Sequence, residues 1–477
     1  MATINTQFKP NIPYLFEISY SPNDSTDRPE IRNINITNSL NVTDTDLIGH
    51  IENAYIGNGN TIPSGTFTLT YTGSQRTFTS NINFVIDGIT DYENGLNVPP
   101  IICNGTLQLD PVEIHNPNEN EVTVHIKQTN SSAPLLMIKY KYGNNDWNTF
   151  IKTEVTQGND VSIKSFTIPA NQSLYICSLE DDDITDINID KERTTLRTWC
   201  YQYSNLYFSC DNNVNNLSIS GDIMSLIDAN NMAYQCFRGL FNNFTALKTV
   251  DEDFLSPKTL SRECYYGMFE GCTSLTDAPN LPALTMGQEC YRYMFSGCTS
   301  LEEAPLLEAT SIASSCCWGM FKGCTSLTTA PQLPATSLAE YCYYEMFSGC
   351  TSLEDAPELP ATTLARSCYM YMFTGCSALT TTTPIILGAS ELHQECYRSM
   401  FSNCNNVTSI RMEATTAWWD PHDSGMIMAD WLSGTATSGR GTLYITSTLN
   451  TLRQDCINDY GYDPIDHPNN WDVVVYN

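Results

Sequence analysis

The chain has 477 residues, 53 of them acidic and 23 basic, for a formal net charge of −30. That sign excludes nucleic acid and anionic membrane surfaces as electrostatic partners, because both need basic patches. No stretch approaches the roughly 18 uninterrupted apolar residues of a spanning helix, and the opening MATINTQFKPNIPYLFEISY has no basic segment leading into an apolar one, so neither a membrane span nor a secretory signal is read from it.

Residues 1–130 read as an amino-terminal β domain. In TFTLTYT, Phe67, Leu69 and Tyr71 alternate with threonines, the period-2 signature of a half-buried strand. Ile82–Ile86 suggests its partner across the turn residues Thr72-Gly73-Ser74-Gln75, and Val122, Val124 and Ile126 repeat the alternation. Short strands between Asn- and Pro-rich loops point to a sandwich. Residues 131–218 read as a second, smaller β-sandwich-like domain. Ile138, Tyr140 and Tyr142 run into the hairpin-like turn Gly143-Asn144-Asn145-Asp146, and Val161–Ile163 and Ser173–Ile176 supply further strands. The acidic run Glu180–Asp183, with Asp186 and Asp190, has oxygen ligands for a hard cation but lacks the glycine and closing glutamate of an EF-hand loop, and reads as a solvated loop. The segment 216–227 leads into the next region and covers its first rung.

From 219 to 410 the chain repeats itself. The copies run CYYGMFEGCTSLTDAPNLPALTMGQE, CYRYMFSGCTSLEEAPLLEATSIASS, CCWGMFKGCTSLTTAPQLPATSLAEY, CYYEMFSGCTSLEDAPELPATTLARS and CYMYMFTGCSALTTTTPIILGASELHQE. Phe241, Phe269, Phe295, Phe321, Phe347, Phe373 and Phe401 mark a period of 26 residues, stretched to 28 at both ends. A fixed period of this length specifies a solenoid, because one unit cannot bury its own apolar face and stacked neighbours can. Within the copy Thr336–Thr362, Ser337 with Glu340 forms a capping box, as Thr285 with Gln288 does in another copy. Leu338, Cys342 and Met346 fall at i, i+4 and i+8 beside Ala339, Tyr343 and Phe347, and Gly349 sits at a left-handed C-cap position. These signals predict a helix of about a dozen residues, held by stacking. A short extended segment follows at Cys350–Leu353, and Pro357 and Pro360 end any ladder there. Residues 411–477, with Trp418, Trp419, Trp431, Thr442–Ile445 and Trp471–Tyr476, read as a carboxy-terminal cap, with Asp420-Pro421-His422-Asp423 as a surface turn rather than a metal site. The expected fold is therefore α+β and multidomain: β-sandwich-like domains, then a solenoid of helix plus short strand, then the cap.

Of the chain's 19 cysteines, 13 lie between Cys264 and Cys404, where twelve form pairs eight apart. With no C-x-x-C and no histidine in register, zinc is not indicated, and the periodic cysteines read as small buried hydrophobes, reduced rather than a disulfide ladder.

Stacking lines up equivalent positions. Tyr265, Tyr291, Tyr343, Tyr369 and Tyr397 make an aromatic column interrupted by Cys317. The next position varies, and its Tyr266, Arg292, Trp318, Tyr344 and Arg398 are a candidate ligand-binding edge with the residue types of binding hot spots. A second candidate is the acidic, hydroxyl-rich column that includes Glu302, Thr328 and Glu354. On the first alternative, Trp318→Ala is expected to weaken binding and leave the melting temperature nearly unchanged. No G-x-S-x-G, H-E-x-x-H or phosphate-binding glycine loop is present, so no catalytic, cofactor or metal residue is assigned.

The motif C-Y-x-x-M-F-x-G-C-T-S-L-x-x-A-P-x-L-P-A-T-x-L, clearest in Cys264–Ser367, resembles the BspA-like leucine-rich repeats of bacterial cell-surface proteins; the flanks Ser220–Ile227 and Trp431–Gly434 are similar too, and 131–220 looks like the β domain that often precedes such repeats. The resemblance implies a leucine-rich-repeat solenoid for adhesion or protein recognition, in gut bacteria and sometimes their phages, with no catalytic residue. Without a visible leader or wall-anchoring tail, the expectation is a virion structural or host-recognition protein. Its amino-terminal β region would dock on virion proteins and its repeats on a host surface protein or glycan, with a homo-oligomer possible. The competing expectations are a bacterial surface or secreted adhesin and, more distantly, a glycan-acting enzyme.

Overall fold

The structure is a computed structural model of the 477-residue chain. It describes residues 111–128, 136–152, 161–178, 206–226, 234–417 and 428–477, isolated positions aside, and, within 1–110, the backbone of eight strands. The acidic run 180–190, Trp418, Trp419 and the turn 420–423 lie outside the described residues.

The chain divides into two compact units, 1–112 with 221–225, and 113–220 with 226–477. In the first, Gly65–Thr72 forms the expected strand. It pairs antiparallel with Pro13–Pro22 and with Thr77–Ser80, in a four-stranded sheet with Asn33–Thr37 on the far edge. The segment expected to be its partner, Phe84–Ile86, pairs instead with Ile101–Cys103. Leaving Gly65–Thr72, the chain reaches Thr77 within five residues, and the shorter loop costs less entropy to close.

The second unit opens on a β-sandwich. Val122–Gln128 lies between Val161–Ile168 and Leu206–Cys210 in one sheet. The other sheet has six strands, in the order Asn148–Lys152, Leu136–Tyr142, Gln172–Ser178, Val112–Asn116, Leu217–Ser220 and Leu247–Val250. Ile114, Val124, Ile126, Ile138, Phe166, Ile168, Leu174, Ile176 and Phe208 are all fully buried between the sheets. The strands near 114 and 124 therefore belong with the second β module, and its start lies near residue 113 rather than 131.

Both sheets run on into the solenoid. Leu217–Ser220 pairs in parallel with Leu247–Val250, the first rung of one wall, and the Leu217 N–H donates to the Ala246 carbonyl at 2.9 Å. From the other sheet the Phe208 N–H donates to the Leu240 carbonyl at 2.7 Å, and the Phe208 ring stacks on Phe241 at 5.2 Å. The sandwich thus closes the open end of the repeats, as a terminal unit must.

The repeats form a β-solenoid of about eight turns. The expected helix is absent: each coil carries a ribbon of successive tight turns instead. In the coil 289–298, φ is positive at Glu289, Tyr293 and Gly297, every fourth residue. The amides of Arg292, Met294, Ser296 and Cys298 donate to carbonyls three residues back at 3.1–3.3 Å. The alternate amides of Tyr291, Tyr293, Phe295 and Gly297 donate to Cys316, Trp318, Met320 and Lys322 of the next coil at 2.7–2.9 Å. Every backbone donor of the ribbon is thus satisfied without a helix. Ring stacking shows why no helix fits. The column from Phe241 to Phe401 repeats at 5.5–5.7 Å with planes within 9° of parallel. Packed helices need about 8–10 Å between axes. The Ser337–Glu340 and Thr285–Gln288 pairs accordingly cap nothing; Ser337 and Thr285 sit in parallel bridges to Thr363 and Thr259. Gly349 keeps its left-handed conformation, φ 78°, at the end of a ribbon.

The opposite walls are held by isolated bridges such as Leu281–Leu307 and Glu303–Thr329, because the recurring prolines remove donors. Where proline thins out, at Ile385–Leu387, Ser409–Met412, Gly441–Thr446 and Trp471–Tyr476, a continuous parallel sheet forms. The carboxy-terminal region is thus further coil, not a separate cap: Ala429, Trp431 and Ser433 accept from Ser399, Phe401 and Asn403 as the preceding ribbons do. The single described α-helix, Ser447–Tyr460, is capped by Thr446, whose Oγ1 accepts from the Leu449 amide at 3.1 Å.

Candidate functional site: the two flanks of the coil

The first candidate column lies on the outside of the turn ribbon. Tyr266, Arg292, Trp318 and Tyr344 form one contiguous chain of contacts. The Arg292 guanidinium lies 3.8 Å from the Trp318 ring centre and 5.6 Å from that of Tyr266, and Arg238 lies 4.0 Å from Tyr266 on its other side. Trp318 and Tyr344 are 4.4 Å apart, and Tyr344 meets Tyr371 edge-on at 5.6 Å. Tyr293, Tyr341 and Tyr371, which the column alone does not include, complete the strip. They stand at the left-handed positions, so only the four-residue turn period brings them there. The Cδ1–Cε1 edge of the Tyr293 ring lies against Gly319, where an added Cβ would come within 2.4 Å of the ring.

The strip's charges are paired within it. Arg292 donates to Glu289 at 3.0 Å, Lys322 to Glu345 at 2.8 Å and Arg398 to Glu395 at 2.6 Å. Arg398 stands apart from the aromatic contacts and is fixed by that glutamate, which raises its pKa. Burial works against ionisation of Glu263, yet hydrogen bonds from Gln235 and Tyr234 and the charges of Arg238 and Arg262 hold its carboxyl below the usual range. Burial and the neighbouring Glu345 push Tyr344 up to about 12. Among the described residues the buried Nε1 of Trp318 and Nε of Arg292 and Arg398 have no hydrogen-bond partner. The ribbon's outer edge is therefore half-buried and mostly engaged with itself.

The second column is exposed. Glu302, Thr328 and Glu354 stack directly: Thr328 donates from its amide at 3.0 Å and from Oγ1 at 3.2 Å to the Glu302 carbonyl, and the Glu354 amide donates to Thr328 at 3.4 Å. Charge is sorted between the two flanks. The segments 273–288, 299–314, 325–340 and 351–365 hold eight carboxylates and no Lys, Arg or His, while the cations of the same coils, Arg262, Arg292, Lys322 and Arg366, all sit on the ribbon. Alternating threonine with glutamate up the column keeps Glu302 and Glu354 two rungs apart, which eases like-charge repulsion. Leu306, 61% exposed, stands on the same wall.

Sequence reading did not find one further constellation. On the outer face of the three-stranded sheet, His125 Nδ1 lies 2.8 Å from Ser165 Oγ and its Nε2 lies 3.0 Å from Asp211. The three come from different strands or their ends, so cross-strand register alone brings them together. The Asp211 side chain is 71% exposed and Ser165 sits on an open, paired strand. A serine nucleophile needs a shielded base and donors aimed at an oxyanion, so this arrangement reads as a sheet-surface hydrogen-bond network.

Among the described residues no group of three or more His, Cys, Asp or Glu side chains is placed to hold a metal, and no helix is long and apolar enough to cross a membrane. Comparison with protein-family profiles, curated proteins and solved structures finds no match to the chain.

Proposed function

We propose that the chain is a non-enzymatic recognition protein whose solenoid holds a host surface protein or glycan on its strand-side wall, and whose amino-terminal β region docks on the proteins of a virus particle. The observation that carries this reading is the sorting of charge. A wall of exposed carboxylates, hydroxyls and an outward leucine, built from four successive segments that carry no lysine, arginine or histidine, stands on a stack that the ribbon side keeps rigid. Such a wall contributes nothing evident to packing, and rigid repeat surfaces suit recognition because little order is lost on binding. The resemblance of the repeat motif to BspA-like surface proteins supports the same use. Its second form, a bacterial surface or secreted adhesin, differs only in where the chain is displayed.

The test is antibody labelling of native particles and host envelopes, with attachment of the purified chain to host cells. Label on particles and saturable attachment are expected. Label confined to a bacterial envelope would favour the adhesin, and turnover of a host polysaccharide lost on one carboxylate change would replace both readings with an enzyme.

A further inference from the structure

The thirteen cysteines between Cys264 and Cys404 are all free and all fully buried, twelve of them in two columns that run up the inside of the ribbon and Cys317 in the tyrosine column. In the second column, Cys272, Cys298, Cys324, Cys350, Cys376 and Cys404 each donate S–H to the carbonyl of a phenylalanine one coil back, Phe241, Phe269, Phe295, Phe321, Phe347 and Phe373, at 2.9–3.2 Å. The thiol proton is a second donor to each of these carbonyls, which also accept the backbone amide three residues on, so a sulfur without its proton loses one bond per coil. Neighbouring coils repeat at the ring spacing of 5.5–5.7 Å. Side chains related by simple translation keep their Cβ atoms at about the coil spacing, outside the roughly 3.5–4.5 Å across which a disulfide closes, so bridging neighbouring coils would pull the stack out of register.

The unfolded chain is under no such restraint. Its cysteines recur eight apart within a pair, as Cys264 and Cys272 do, and loops that short close readily. With a disulfide oxidant such as oxidised glutathione, the two thiols lose their protons, one S–S bond forms, and the oxidant's own S–S bond is reduced to two thiols. A product of that kind joins the two columns, whereas the sulfurs that lie close in the folded coil are those of Cys316 and Cys317, 3.5 Å apart.

We propose that the solenoid is redox-gated: it folds only while these thirteen cysteines are reduced, and once closed it shields them from oxidation. Shielding follows from burial, which excludes oxidants and also disfavours the attacking thiolate. Desolvation pushes Cys272, Cys324, Cys368 and Cys376 up to about 12. The gate stands apart from the disulfide of Cys236, which precedes the thirteen. It goes beyond the proposed function and does not depend on it: a chain that finishes folding in a reducing compartment can then work in an oxidising one.

The experiment uses the full chain. With a thiol reagent such as dithionitrobenzoate, the repeat cysteines are expected to stay unreactive in the native protein and to react completely in guanidinium. Refolding from guanidinium should succeed in dithiothreitol and fall at least tenfold in yield in oxidised glutathione, and adding dithiothreitol to the trapped material should restore it. Equal yields in both buffers, no rescue by dithiothreitol, or inter-coil disulfides among the thirteen in a mass map of native protein would each overturn the proposal.

Discussion

The two flanks of the same coil divide the work. On the ribbon side the inward rings stack, the outward arginines lie over aromatic rings or pair with glutamates, and alternate amides bond to the next coil. On the strand side prolines interrupt the bonding, and four successive segments carry eight carboxylates and no lysine, arginine or histidine. One sequence repeat thus builds a seam that holds the stack and a wall that is left available. Stability should concentrate in the first and tolerance to change in the second.

The comparison breaks if the largest effect does not fall inside the ribbon. Phe321 is fully buried with a ring at 5.6 Å on one side and 5.7 Å on the other. Phe321→Ala should cost about 3–5 kcal/mol in denaturant unfolding. On the ribbon's outer edge, Trp318→Ala should cost about 2 kcal/mol, since Arg292 and Tyr344 both lose the indole. That replaces the expectation of an unchanged melting temperature, and a loss under about 0.5 kcal/mol would return Trp318 to the candidate ligand surface.

A pH series sharpens the same contrast. The folded pKa of Glu263 is depressed, so its contribution is present above the unfolded carboxyl pKa and disappears as pH falls through the lower folded value. Glu263→Gln should therefore lower stability at neutral pH and lose its disadvantage in acid. A difference from the parent chain that is constant from neutral pH into acid would show that the carboxylate is not held ionised. The smallest effect belongs to the wall: Glu302→Gln with Glu354→Gln should move stability by no more than about 0.5 kcal/mol while reducing attachment to host cells. Comparable losses in stability at wall and seam would erase the distinction between them.

Much of this was legible in residues. The alternations at Val122–Ile126 and Ile138–Tyr142 form strands, and Gly143 turns between Leu136–Tyr142 and Asn148–Lys152 at φ 51°. Equivalent residues stack along the coil at Tyr266, Arg292, Trp318 and Tyr344, a column largely engaged with itself, and at Glu302, Thr328 and Glu354. The helix failed for a physical reason. Cys342, Tyr343, Met346 and Phe347 are buried, as an apolar helix face requires. They are equally the inward pairs of a four-residue turn period, and over nine residues a helix drifts only about 40° per four residues from that period. Burial pattern cannot separate the two.

The 26-residue period, the identity of the inward side chains and the lack of lysine, arginine and histidine in four successive strand-side segments are properties of the chain as written, because each depends only on which residues recur and how far apart. Whether the recurring segment coils as a helix or as turns was decided by its neighbours: stacked rings bring adjacent coils closer than helices can pack, and backbone groups then bond across coils instead of along them. Tertiary contact likewise gathered His125, Ser165 and Asp211, gave Tyr293 its bed on Gly319, and joined the sandwich to the first rung, since none of these partners is near the other in sequence.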